Sequence, residues 1–161
     1  NPALAGGALL DVGIYPLQFA NYLYDAAPLS IDTRAKMSAS GVDEITLVSA
    51  SYSGDRCLQA GCAVSRLLDN DARIYGEKGF IHIPADFHMA DRCVLALNGK
   101  DRHTYEFPRT TVGYDYEIAA VNEMLRGGIS DPAPVTHELT LRTIEMMDTA
   151  RKQIGLVYPF E

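Results

Sequence analysis

The sequence predicts an α+β fold, a mostly antiparallel open-faced β-sheet with helices packed on one face. Three observations predict it: a nearly uncharged helical stretch near the start, a run of hairpins through the middle, and two amphipathic helices at the end. Strands that follow one another through short turns pair antiparallel, and helices grouped at the ends of the chain cover one side of such a sheet rather than alternating with strands.

The first helix is expected over residues 6–24. Leu9, Leu10, Val12, Ile14, Leu17, Phe19, Ala20 and Leu23 leave hardly any polar face, and Asp11 is the only acid or base among them apart from tyrosines. A helix apolar nearly all round is buried on most sides. Pro16 lacks an N–H and crowds the carbonyl of Val12, so a kink or a two-part helix is expected, with the Val12 carbonyl freed.

Leu29 to Ala39 alternates Leu, Ile, Thr, Ala and Met with Ser, Asp, Arg, Lys and Ser, the period of two of a half-buried strand. Glu44–Ser53 and Cys57–Leu67 form a hairpin through Gly54-Asp55. Arg73–Tyr75 and Phe80–Ile83 form a second through Gly76-Glu77-Lys78-Gly79, and Arg92–Leu97 and Arg102–Phe107 a third through Asn98-Gly99. Tyr114–Arg126 places Ile118, Val121, Met124 and Leu125 on one helical face before Gly127-Gly128. His137–Ile154 carries Leu141, Ile144, Met147 and Ile154 opposite Arg142, Glu145, Asp148, Arg151 and Lys152, with Thr136 as N-cap and Gly155 as stop. No repeat or linker interrupts the order, so the chain reads as one domain over 1–161.

Composition narrows the function. The chain has 161 residues, 14 Lys+Arg against 21 Asp+Glu and a net charge of -7. With 47% hydrophobic residues it can bury a core. The acidic balance argues against nucleic acid, whose phosphates require clustered cations. No run approaches the ~18 apolar residues of a membrane span, so none is expected. Three unpaired cysteines, Cys57, Cys62 and Cys93, suit a reducing, cytoplasmic setting, and four scattered histidines offer no metal-ligand spacing. Asp69-Asn70-Asp71 has Ile74 where a calcium loop needs glycine, and reads as a turn.

The residues with chemistry lie on the first helix. Asp11, Tyr15, Gln18 and Tyr22 are spaced i, i+4, i+7 and i+11 and line one face. Two readings stand. In one, Asp11 caps a neighbouring backbone segment and Tyr15 is a core aromatic with a satisfied hydroxyl. In the other, a carboxylate and a phenol one turn apart point into a cleft for a polar small molecule. Tyr114 is a further candidate for that cleft, or packs with Tyr116 at a helix start.

The run Gly6-Gly7-Ala8-Leu9-Leu10-Asp11-Val12-Gly13-Ile14-Tyr15 resembles the G-G-(A/G)-x-x-D-x-G-x-(H/Y) segment of the glucose-fructose oxidoreductase, inositol dehydrogenase and MocA-type family. The resemblance continues through Tyr75–Ile81, Gly113–Glu117, Met147-Asp148 and Gln153–Pro159, in order along the chain. Tyr at 15, where other members carry His, is similar to the dihydrodiol dehydrogenase-like branch.

The resemblance implies a glyceraldehyde-3-phosphate dehydrogenase-like C-terminal domain of an NAD(P)-dependent oxidoreductase acting on a sugar, cyclitol or vicinal diol. It implies NAD or NADP bound mainly by a preceding Rossmann domain, whose Glu-Lys-Pro lysine stands near the substrate hydroxyl. The chain, starting at Asn1 inside a structured segment, then reads as the carboxy-terminal half of that protein. Tyr15 and Asp11 become catalytic candidates, and Gln18, Tyr22 and Tyr114 substrate-binding ones. Free tyrosine titrates near ~10, so the phenolate needs the lysine beside it. The family also implies homo-oligomers through the open sheet face, for which Val48, Ala50, Tyr52, Leu58, Ala60 and Cys62 look apolar enough. The alternative is a non-catalytic dimerisation or small-ligand binding module of the same fold.

Overall fold

The computed structural model describes residues 1–131 and 133–161, and they fall into two compact units. The first comprises residues 1–68 and 133–161, and the second begins at Asp69. The expected meander is accordingly divided between two antiparallel sheets, one in each unit.

In the first unit, β1 (Ser30–Met37), β2 (Asp43–Tyr52) and β3 (Arg56–Ala63) pair in sequence order. Ile31 lies opposite Ala50, and Ala50 opposite Leu58, so these three share a face. That face carries Thr33, Thr46, Val48, Tyr52 and Cys62, all buried. The β2–β3 turn uses Gly54 and Asp55 at φ 72° and 57°, as the Gly-Asp pair predicts.

Helices cover this face and leave the other open. A π-helical turn, Leu9–Gly13, leads into α1 (Ile14–Tyr24), and α3 (His137–Ile154) packs beside α1 and against β1. Leu9, Leu17, Val48, Ala50, Tyr52, Met146, Met147 and Ala150 make the core. A smaller cluster of Val42, Leu156 and Tyr158 closes its end.

The expected kink after Pro16 takes a different form. The irregularity is the π turn that ends at Gly13, three residues before Pro16, and the helical backbone runs on through it into α1, since Gly13 and Ile14 are both right-handed helical. The whole stretch Pro2–Tyr24 is 23 residues with mean hydropathy 1.3, long and apolar enough by composition to cross a membrane, contrary to the sequence expectation. Its inward side chains instead supply the core of this unit.

Two face assignments need correction. Val48, Ala50, Tyr52, Leu58, Ala60 and Cys62, expected on the open face, are the helix-covered face of the sheet. Period-two patterning shows which residues share a face, but not which face a helix covers. The open face carries Asp32, Arg34, Leu47, Ser49, Gln59 and Gly61. On α3 the inward residues are Leu139, Thr143, Met146, Met147 and Ala150, while Leu141 and Ile144 are exposed. The expected ends of α3 are present: Thr136 accepts from the Leu139 N–H at 3.1 Å, and Gly155 takes φ 68°.

The second unit holds β4 (Ala72–Gly76), β5 (Gly79–Ile83), β6 (Arg92–Leu97) and β7 (Arg102–Glu106) in that order, followed by α2 (Tyr114–Gly127). The two hairpins fall where the Gly-rich and Asn-Gly turns predict them. Asp71 accepts from Arg73 and pairs with His82 across the β4–β5 edge. The apolar stripe of α2 exists as a stripe, but Ile118, Val121 and Leu125 are exposed.

Candidate functional site

The rotation of α1 about its axis decides which side chains face outward. Leu17, Ala20 and Asn21 are buried, and with Leu9 and Gly13 they define the inward side. Asp11 is exposed, Tyr15 is 45% exposed, Gln18 is half-buried and Tyr22 is 52% exposed. The four predicted residues thus form one outward row, on the side of the helix away from the sheet. The reading of Tyr15 as a core aromatic is excluded by its exposure. Asp11 is exposed, and the buried carboxylate that caps a neighbouring backbone segment is a different one.

That carboxylate is Asp43, the first residue of β2, which is wholly buried. Its Oδ2 accepts from the Leu9 N–H at 2.7 Å and from the Thr46 hydroxyl at 2.6 Å. Sequence reading passed over Asp43 because an acid at a strand start resembles ordinary turn chemistry.

Two glycines of the G-G-A-x-x-D-x-G run acquire physical reasons. A Cβ on Gly7, which sits at φ 139°, would lie 2.2 Å from Asp43 Oδ1. A Cβ on Gly13 would lie 3.0 Å from Cys62 Sγ and 3.2 Å from Leu9 Cδ1, so Gly13 lets the π turn sit close on β3. Burial pushes the Cys62 thiol up to about 12, helped by the nearby Asp43 charge. It therefore stays a protonated thiol at neutral pH, donating to the Thr46 carbonyl at 3.6 Å.

Asn21 was also missed. It is buried on the inward side, accepts from the Tyr52 hydroxyl at 3.0 Å and donates to Thr143 Oγ1 at 3.3 Å. Its signal in the sequence was an amide among apolar neighbours on a helix otherwise free of polar residues on that side. Below it, Tyr24 donates to the Cys57 carbonyl at 2.8 Å and lies under the Arg56 guanidinium at 4.9 Å, which ties the end of α1 to the β2–β3 turn.

Tyr114 belongs to the second unit. It is the first residue of α2 and 67% exposed, behind Gly113 at φ 100°. The four helix residues are brought together, and Tyr114 stands with the other unit.

A nicotinamide dinucleotide needs a strand, a glycine turn and a helix whose amides meet the pyrophosphate. Every strand pair among the described residues is antiparallel, and Gly76 and Gly79 pair with each other across a hairpin. The residues present do not fit that group. What the row can do is hydrogen-bond hydroxyls, through one carboxylate, two phenols and an amide, and exchange a proton at a phenol.

The comparisons with known proteins agree in direction. The family model described as the GFO/IDH/MocA C-terminal domain matches residues 1–82. Trans-1,2-dihydrobenzene-1,2-diol dehydrogenase of Danio rerio is 32% identical over 166 residues, covering 96% of this chain and 48% of that protein. The protein of the same name from Homo sapiens is 29% identical, covering 98% of this chain and 49% of its own length. The chain therefore spans about half the length of the curated relatives it matches. Among solved structures, aldose-aldose oxidoreductase from Caulobacter crescentus in complex with glycerol superposes with a TM-score of 0.79 at 20% identity, over 93% of this chain and 46% of that one. A 3-ketoreductase from Actinomadura kijaniata in complex with TDP-benzene and NADP gives a TM-score of 0.77 at 18% identity, over 92% and 48%. At those identities the structures establish the fold alone.

Proposed function

The chain belongs to the GFO/IDH/MocA family as its C-terminal domain, and from that premise we propose that it is the substrate-binding and subunit-contact half of an NAD(P)-dependent oxidoreductase for a sugar, cyclitol or vicinal diol. The observation that carries the reading is the outward row of Asp11, Tyr15, Gln18 and Tyr22 on a helix whose opposite side is core.

Oxidation of a carbinol releases a hydride and a hydroxyl proton. The hydride acceptor would be a nicotinamide bound outside this chain. The proton is this chain's concern. As a phenolate within hydrogen-bond reach of the substrate hydroxyl, Tyr15 takes it in the oxidative direction, and as the resulting phenol it returns it in the reductive one. A neighbouring ammonium from the nucleotide domain lowers the cost of the phenolate. Asp11, nearly a turn earlier, accepts from the adjacent hydroxyl of a vicinal diol and so sets which carbinol faces Tyr15. Gln18 and Tyr22 continue the row and hold the rest of the polyol.

The relatives favour this class of substrate: the matched dehydrogenases are named for trans-1,2-dihydrobenzene-1,2-diol. Association of copies is proposed through the open face of the β1–β2–β3 sheet, around Leu47, with the protein acting in the cytoplasm.

The test has two parts. The protein carrying this domain together with a nucleotide domain is assayed for NAD(P)-dependent oxidation of vicinal diols and aldoses, and the isolated chain is titrated with NADH. Activity in the first and weak or absent binding in the second is the expected pair. Tight stoichiometric NADH binding by the isolated chain would overturn the division of labour, and diol binding without turnover would favour the non-catalytic alternative.

A further inference from the structure

A buried carboxylate with one orphan oxygen is expensive, and its place in this fold is informative. Asp43 is 0% exposed, and its Oδ1 has no hydrogen-bond partner among the described residues. Filling the site would need only an apolar side chain of similar size, without the cost of a buried charge. What a carboxylate adds is direction. Its Oδ2 meets the N–H of Leu9, the residue that opens the π turn, at 2.7 Å, and the positive end of a helix favours a negative group there.

The second observation is independent of that bond. Gly7 is the one residue type that leaves room for Oδ1, since any Cβ would stand 2.2 Å from it, and its φ of 139° disfavours every other side chain. The Tyr158 hydroxyl donates to the Gly6 carbonyl at 3.2 Å, so the chain before Leu9 is held from the other side as well. The start of the helical stretch is thus located by two groups from distant parts of the sequence.

We propose that Asp43 is a positioning residue for Tyr15. Through the Leu9 amide it sets the axial and rotational position of the π turn, and with it the place of Tyr15 six residues on, about 9 Å along a helix. Tyr15 must meet a substrate hydroxyl within a few tenths of an ångström, and a misplacement of ~1 Å costs about 100-fold in rate. The catalytic consequence rests on the oxidoreductase reading above, whereas the structural coupling does not.

The experiment compares wild type, Asp43→Asn, Asp43→Ala and Thr46→Val by amide hydrogen exchange on this chain, and by kcat and KM in the protein that includes the nucleotide domain. Asp43→Ala is expected to accelerate exchange over residues 9–15 about tenfold or more, with α3 unchanged. It is expected to lower kcat about 100-fold with the KM for the dinucleotide unaltered. Asp43→Asn keeps an acceptor for the Leu9 amide and restores most of both effects. If Asp43→Ala does not fold, the decision passes to Thr46→Val, which removes the other donor that aims Asp43 Oδ2: acceleration confined to residues 9–15, with Asp43→Asn near wild type, supports the proposal. Unchanged exchange at 9–15, or an increase spread evenly over β1–β3 and α3, overturns it. Selective exchange in a protein that oxidises no diol or sugar would leave the positioning standing and remove the oxidoreductase reading.

Discussion

Tyr52 on β2 donates its hydroxyl to Asn21 Oδ1 on α1 at 3.0 Å, with both side chains buried. Asn21 passes the chain on to Thr143, whose own hydroxyl donates to the Leu139 carbonyl at 2.8 Å. One hydrogen-bonded line therefore runs from the sheet through α1 to α3, and it fixes the rotation that turns Asp11, Tyr15, Gln18 and Tyr22 outward.

Breaking that line should cost stability in a way that depends on which end is removed. Tyr52→Phe strands a buried amide oxygen, and about 1–3 kcal/mol is the expected loss. Asn21→Leu alone leaves a buried hydroxyl and should cost about as much. The double variant should cost less than the sum, with a coupling of about 0.5–3 kcal/mol. Urea unfolding of the four proteins measures it, and strict additivity would mean that the bond does not hold α1.

The row itself separates binding from chemistry. In the protein with its nucleotide domain, Tyr15→Phe should lower kcat by about 10²–10⁴ while leaving the KM for the polyol little changed. Tyr22→Phe and Gln18→Ala should raise that KM and spare kcat. Asp11→Asn should weaken vicinal diols more than simple alcohols, since its proposed partner is the second hydroxyl. Steady-state kinetics with a diol and a mono-alcohol check all four. Wild-type kcat in Tyr15→Phe would exclude a proton role for the phenol.

How much of this was legible in the sequence depends on the kind of signal. The hairpin turns, the N-cap Thr136 and the stop at Gly155 are local, so turn and cap chemistry located them within a residue or two, whereas the strand expected to run to Leu67 ends at Ala63. The outward row was legible because polar residues are scarce on that helix. Burial direction was not. Val48 and Ala50 share a face in either orientation, and only contact with Leu17 and Met147 says which side is core. Asp43 and Asn21 were missed for the same reason: each matters through a bond partner more than thirty positions away, Leu9 for Asp43 and Tyr52 for Asn21. The division into two sheets was likewise invisible, because the residues between β3 and β4 look like any other loop.

The corrected faces change where subunit contact should be sought. Leu47 is 58% exposed on the open face of the first sheet, between Arg34 on β1 and Gly61 on β3. A charge there should disrupt association without touching the core. Leu47→Asp is expected to shift the protein toward monomer in light scattering while its far-UV circular dichroism is retained. Val48→Asp, one residue on, should instead unfold the first unit, because Val48 packs against the helices. Equal effects of the two would contradict the assignment of faces.

Alkaline pH should loosen the first unit before the peptide chain itself is affected. Burial pushes the Tyr52 phenol from 10.0 up to about 12, and the Cys62 thiol from 9.0 up to about 12. Both groups are neutral when protonated, and both keep their protons longer folded than unfolded. Between pH 9 and 12 the unfolded chain therefore binds fewer protons, so the unfolding free energy falls as pH rises, and below pH 9 these groups contribute no slope. Tyr24 and Tyr158, raised chiefly by burial as well, act in the same direction. Replacing Cys62 by Ala should flatten the curve from its low-pH end, near 9, and Tyr52→Phe should flatten it only above 10, so the onset of the slope distinguishes the two contributions. Urea midpoints measured from pH 7 to 11.5 test this, and a midpoint that rises over that range would contradict the sign.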